Sequence, residues 1–147
     1  ACVGGKCLVS VLDTLDSGTE IRWTEQSNEG ITYADKLAKG ELDIAPELTF
    51  KEALLRVQAS SDNHPCRCEI AGRRLTILKA CLASQDIAVP CGEISFSSKR
   101  LYLGFSDGVV KLEIVKPDGK KTMDAKAFAA GIQGIKQGGI TWSALNA

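Results

Sequence analysis

The sequence predicts a mainly β domain with flanking helices: a small Greek-key antiparallel barrel of five or six strands, one helix before it and one after. Three observations carry this. From residue 66 to about residue 121, apolar and polar residues alternate in short runs, the two-residue period of half-buried strands. Turn formers at Ala71-Gly72, Ser97-Ser98 and Asp107-Gly108 separate the runs at hairpin spacing. On either side the period becomes helical, over 50–59 and again after Asp124.

The elements follow in order. "KCLVSVLDTLDSG" has apolar residues at 8, 9, 11, 12 and 15, which is helical spacing, and Gly18 is its C′ stop. Nothing adjacent in sequence packs on its apolar face, so we expect the last helix of an upstream domain. "TEIRWTEQSNEG" (19–30) is polar and aperiodic, an extended connection. "TYADKLAKGEL" holds one helical turn with Thr32 as N-cap, and Gly40 stops anything longer. In "ELTFKEALLRVQAS", Thr49 and Glu52 form a capping box, and Phe50, Ala53, Leu54 and Val57 make one apolar stripe, giving a helix over about 50–59. "SSDNHP" ends it. Strands are expected at about 66–71, 73–82, 92–97, 99–105 and 108–116, with a short one near 121. "DAKAFAAGIQG" is a short helix with Asp124 as N-cap and Gly134 near its end, and "WSALNA" is a tail. The OB-type barrel is the nearest template of this size. Such barrels often bind nucleic acid, although a fold alone does not assign a function.

Composition narrows the classes. At 147 residues and 44% hydrophobic, the chain is one domain, or one domain plus a piece of another, with enough apolar mass for a core. No run of eighteen apolar residues suggests a membrane span, and "ACVGGKCLVSVLDTLDSG" has neither the basic start nor the long apolar centre of a signal peptide. Without a leading Met, the sequence reads as a fragment or a processed chain. With a sufficient core and no export signal, the six cysteines are expected as free thiols in a reducing cytoplasm. The formal net charge is zero but uneven: −3 over residues 1–31, −2 over 32–65, and +5 over 66–147, from twelve basic and seven acidic side chains. A basic C-terminal part suits an anionic partner; the plain alternative is ordinary solvated surface charge.

Several motifs invite chemistry and decline it. Cys66 and Cys68 face one side of a strand and, with His64, could be half a zinc site, but Cys2 and Cys7 lack the spacing to complete it. Small buried hydrophobes in the barrel wall are the better reading. His64, the only histidine, lies in the turn "DNHP" with no motif pairing it to Asp62 as an orienting carboxylate. "GIQGIKQGG" follows a helix rather than opening one, so it is not a phosphate-cradling loop. The basic hairpins stand out: Arg67, Arg73 and Arg74 at the first, Lys99 and Arg100 at the next, Lys116, Lys120 and Lys121 at "KPDGKK". Only Phe96, Tyr102 and Phe105 are aromatic in the strands, so phosphate contact with folded RNA fits better than base stacking.

The order of the pieces is recognisable. Thr32-Tyr33-Ala34-x-Lys36-Leu37 and Asp43-Ile44 precede the capped helix; Gly72-Arg73-Arg74-Leu75 and Pro117-x-Gly119-Lys120-Lys121-x-Met123 follow it. In this order they resemble the C-terminal domain of the methionyl-tRNA formyltransferase family over about residues 6–138. Two departures stand: "SSDNHPCR" replaces an Asn-Pro-Trp-Pro-Gly-Ala run, keeping only Pro65, and Ala45 occupies a usual Trp position. The roles of those aromatics are therefore not carried over.

The resemblance implies a two-domain parent. Its doubly wound α/β N-terminal domain binds the cosubstrate 10-formyltetrahydrofolate and carries an Asn, a His and an Asp that transfer formyl to the methionyl amine of initiator tRNA. Its OB-like C-terminal barrel holds the tRNA acceptor arm on a positive face, and the tether also contacts tRNA. Residues 1–31 would then be the last helix of that missing domain plus the start of the linker, 32–48 the interdomain linker, and 49–147 the tRNA-binding barrel. No catalytic, cofactor-binding or metal-binding residue is expected in this part. Lys36, Lys39, Lys120 and Lys121 are phosphate-contact candidates on matched motif positions. Arg67, Arg73, Arg74, Lys99 and Arg100 are candidates on charge and loop placement alone. The expected partners are initiator tRNA and the missing catalytic domain, not a membrane, and the unpartnered first helix could support a truncation-induced dimer. Two other classes remain open: the C-terminal domain of another formyltransferase or formyltetrahydrofolate hydrolase acting on a small molecule, and a stand-alone interaction barrel.

Overall fold

The computed structural model describes residues 2–145 and divides into two compact units, Ala1–Asp35 and Lys36–Ala147. Ala1 and the last two residues of the expected tail, Asn146 and Ala147, lie outside the described residues. In the first unit, helix α1 spans Cys2–Asp16 with no buried residue. Its end is a Schellman motif: Gly18, at φ +69°, donates its N–H to the Leu15 carbonyl at 3.0 Å, and Thr19 donates to Thr14 at 3.2 Å. Residues 19–27 have no regular structure.

The segment around the start of the second unit differs from expectation. The helical turn from Thr32 is absent. Instead Glu41 Oε2 accepts from the Ala38 N–H at 2.7 Å, and two tight turns around Gly40 (φ +81°) carry the chain into the core at Leu42 and Ile44. One helical turn is marginal by itself, and burying two aliphatic side chains outweighs it. The segment read as a linker therefore ends inside the barrel's packing. Helix α2 (Phe50–Ala59) has the expected capping box, Thr49 with Glu52, and buries Ala53 and Val57.

The strands are β1 (Arg67–Ile70), β2 (Arg73–Leu82), β3 (Ile94–Ser97), β4 (Arg100–Gly104), β5 (Val109–Pro117), β6 (Met123–Asp124) and β7 (Trp142–Ser143). Helix α3 (Ala125–Ala130) lies between the last two, capped by Asp124, which accepts from the Lys126 N–H at 2.7 Å. It stops at Gly131, short of Gly134. The sheet order is β3-β4-β5-β2-β1-β7, with β6 on β5. Two hairpins turn through pairs of positive φ: Ala71-Gly72, as expected, and Ser98-Lys99, one residue beyond the expected Ser97-Ser98. Register shifts around Lys79 bend β2, the curvature a barrel needs.

The largest correction is the tail. Trp142 and Ser143 pair with Ile70 and Glu69 of β1, while Glu93 bridges Thr141 and Ile94 donates to the Ile140 carbonyl at 2.9 Å. The 140–143 strand thus joins β1 to the start of β3 and nearly closes the barrel. Trp142 is 3% exposed, donates Nε1–H to the Gly104 carbonyl at 3.1 Å, and packs on Phe105 with ring centroids 4.8 Å apart. A two-residue strand with partners seventy residues upstream leaves little local signal.

The core joins strand residues such as Ile70, Leu75, Ile77, Leu103 and Val115 to Phe128 of α3. Cys66 and Cys68 are fully buried in the barrel wall. Burial pushes the Cys66 thiol up to about 12 and holds Cys68 well above its usual range, so both are neutral packing groups. All six cysteines are free thiols.

Candidate nucleic-acid interface

The structure sorts the sequence-predicted cations into three places. At the entrance to the second unit, Lys36 and Lys39 are exposed. Lys39 shares a hollow of about 240 Å³ with His64 and Arg67. Arg67 is not a loose cation. Its Nε and Nη2 donate to Asp43 Oδ1 and Oδ2 at 3.1 and 3.0 Å, and its backbone N–H reaches Oδ1 at 3.2 Å. The Asp43 hydrogen bond raises the Arg67 pKa further. This bidentate pair pins the turn that delivers Ile44 to the core, and Arg56 Nη1 adds a bond to the Asp43 carbonyl at 2.6 Å.

At one end of the β2–β5 ladder, Arg74 neighbours the turn carrying Lys120 and Lys121, while Arg73, the preceding residue of β2, faces the other way with its guanidinium near Gly131; all four are exposed. The Asp118 N–H donates to the Arg74 carbonyl at 3.0 Å, and Gly119 at φ +71° completes the turn that brings Lys120 and Lys121 alongside. Glu69 stands 3.9 Å from Arg74 Nε.

At the other end, Lys99 and Arg100 sit on the β3–β4 turn beside three cations that loop-based reasoning missed. Lys79 on β2, Lys111 on β5 and Lys126 on α3 line the same hollow of about 370 Å³. Lys79 Nζ and Lys111 Nζ hold the Glu113 carboxylate at 3.0 and 2.8 Å. These bonds pull the Glu113 pKa down to about 2. The register sets Lys116 opposite Thr76, Ile114 opposite Lys79, and Lys111 opposite Cys81. Arg74, Lys116, Lys79 and Lys111 therefore follow one another along a single strand pair, a mostly basic stripe in which Glu113 sits between Lys79 and Lys111. The missed lysines gave only alternation; which strand each would face depends on register.

His64 lies in the 60–65 turn, its N–H 3.2 Å from Ser61 Oγ. Among the described residues no three His, Cys, Asp or Glu side chains converge to hold a metal. No described helix is long and apolar enough to cross a membrane. Exposed cations of this kind attract anions.

The family model described as "Formyl transferase, C-terminal domain" matches residues 37–133. The chain belongs to this family. As a formyl transferase C-terminal domain it is 33% identical over 131 residues to the methionyl-tRNA formyltransferase of Polynucleobacter asymbioticus, covering 86% of this chain and 39% of the relative. It is 31% identical over 137 residues to that of Lactobacillus delbrueckii subsp. bulgaricus, covering 92% of this chain and 43% of the relative. The chain thus spans about two-fifths of the length of these relatives. Among solved structures, HypX from Aquifex aeolicus in complex with tetrahydrofolic acid shares the fold: TM-score 0.63 at 17% identity, covering 89% of this chain and 23% of that one. The formyl transferase C-terminal domain begins its match at Leu37, so the matched segment includes the turn and the two core residues that precede α2.

Proposed function

We propose that this chain is the C-terminal, tRNA-binding part of a methionyl-tRNA formyltransferase, holding initiator tRNA in the cytoplasm during translation initiation. The observation that carries this is its likeness, at about 30% identity over most of its length, to proteins of that name. The cationic β2–β5 stripe supports it. In this reading residues 1–31 end an N-terminal catalytic domain that binds 10-formyltetrahydrofolate, and the chain alone transfers no formyl group.

The barrel's task is then electrostatic. Lys36 and Lys39 on the approach, Arg73, Arg74, Lys120 and Lys121 at one end of the stripe, and Lys99 and Arg100 at the other displace counterions from RNA phosphates. Arg67, engaged by Asp43, supports the fold at the edge of this surface.

Binding to initiator tRNA over a salt series tests the proposal, with a nucleotide-sugar as control ligand. The expected log–log slope corresponds to about three to five phosphate contacts. Replacing Lys36 with Lys39, or Lys120 with Lys121, by Gln should lower the slope by about 1.4 to 1.8. Salt-insensitive or absent tRNA binding, binding of the nucleotide-sugar instead, or robust formyl transfer by the chain alone would overturn the reading.

A further inference from the structure

Two hollows adjoin beside α3, sharing Lys99, Asp124 and Lys126. One is the cationic hollow already described. The other is an open cleft of about 850 Å³ between the β3–β4 hairpin and the segment running from α3 to Gln137. Its walls are unlike the rest of the charged surface: Phe96, Ala127 and Ala130 present apolar surface, the largely buried Ile132 and Ile135 show an edge at the floor, and Lys136 stands among them. Phe96 is half-buried, packed against the core on one side.

The charges here are unevenly matched. The Glu113 carboxylate binds Lys79 and Lys111, and Asp124 caps α3. Among the described residues, Lys99, Arg100, Lys126 and Lys136 have no carboxylate within salt-bridge distance. A bare anion would leave the apolar walls wet. A neutral apolar ligand would leave four cations unanswered. A flat, largely apolar group joined to a phosphate answers both.

We propose that this composite site takes one unstacked nucleotide of a bound RNA, its base in the cleft against Phe96, Ile132 and Ile135, its phosphate at Lys99, Arg100 and Lys126. The cleft is open rather than enclosed, as a nucleotide still joined to its neighbours on both sides requires. Gln137, also in the wall, offers an amide that can both donate to and accept from a base edge. The assignment rests on the RNA-binding reading above. It adds to that reading a stacking contact, which phosphate tracking does not supply.

The test uses the whole chain. Titration with AMP, GMP, CMP and UMP, followed by NMR, should shift the Phe96 ring and the Ala127, Ile132 and Ile135 methyls saturably for at least one nucleotide. Inorganic phosphate should move only the Lys99–Arg100 side. Ala130→Trp fills the cleft from an exposed helical position without changing a charge. It should abolish the nucleotide shifts and weaken initiator tRNA binding about tenfold, leaving the salt slope unchanged. Lys126→Gln should weaken binding and lower the slope by about 0.7 to 0.9. If no nucleotide perturbs the cleft, or Ala130→Trp leaves tRNA affinity intact while tRNA still binds, this inference fails and the RNA-binding reading stands. If nucleotides bind in the cleft but tRNA binds nowhere, the RNA-binding reading fails, and with it the assignment of an RNA-borne nucleotide.

Discussion

Glu113 lies between two ammonium groups, and its titration reports what they do for the fold. Hydrogen bonds from Lys111 and Lys79 hold its pKa near 2, below the ordinary 4.5. A carboxylate depressed in the folded state contributes stability above its unfolded pKa and loses it as pH falls toward the folded one. The contribution should therefore fade between about pH 4.5 and 2. In Glu113→Gln, urea midpoints should fall less steeply across that window, and added salt should shrink the difference because the site is open to solvent. Gly104 is a different constraint. A Cβ there would run into the backbone carbonyl oxygens of Val89 and Pro90. The same residue bonds Glu93 and Gly92 through its backbone and accepts from Trp142. Backbone cannot swing aside as a side-chain tip can, so Gly104→Ala should cost about 3 kcal/mol or more in denaturant unfolding.

Among the elements, one of the two shortest strands nearly closes the sheet. β7 contributes two residues that pair with β1, while Ile140 and Thr141 just before it meet the start of β3, and Trp142 is buried against Phe105. Trp142→Ala should destabilise the barrel by about 3–5 kcal/mol, the usual range for a buried aromatic removed. Fluorescence can follow this directly once the other tryptophan, Trp23, 84% exposed, is replaced by Phe. In that background native emission should be blue-shifted and should red-shift in a single cooperative transition. By contrast α2 is secured locally by its capping box, with a link to the rest of the barrel through Asp107 Oδ1, which accepts from the Phe50 N–H at 2.8 Å.

At the scale of the molecule, the two units differ in what holds them. The second has a continuous core; in the first, no described residue is buried, and Leu8, Leu12 and Leu15 of α1 lie exposed. Deleting residues 1–35 should leave the unfolding free energy of the barrel within about 0.5 kcal/mol, because that unit has no described buried residue and the core cluster lies wholly in the second unit. Any self-association through the apolar face of α1 should appear as a concentration-dependent mass in the full chain and vanish in the shortened one. A large loss of stability on deletion would overturn this expectation.

Local pattern was enough for the pieces: the α2 capping box, the Ala71-Gly72 turn, the alternating strands, the excess of cations after residue 66, and the family resemblance that the match over residues 37–133 bears out. These signals lie within a few residues of one another, where backbone periodicity and side-chain capping operate. Tertiary structure alone decided which cations remain available and which are engaged. Arg67 looked like any other hairpin arginine until Asp43, 24 residues away, took its guanidinium. Lys79 and Lys111 were ordinary strand residues until the β2–β5 register set them around one carboxylate. The same held for Leu42, Ile44 and Trp142, whose burial depends on surfaces made by distant strands. Register and closure are cooperative properties of segments far apart in sequence, and a local pattern carries no record of its partner.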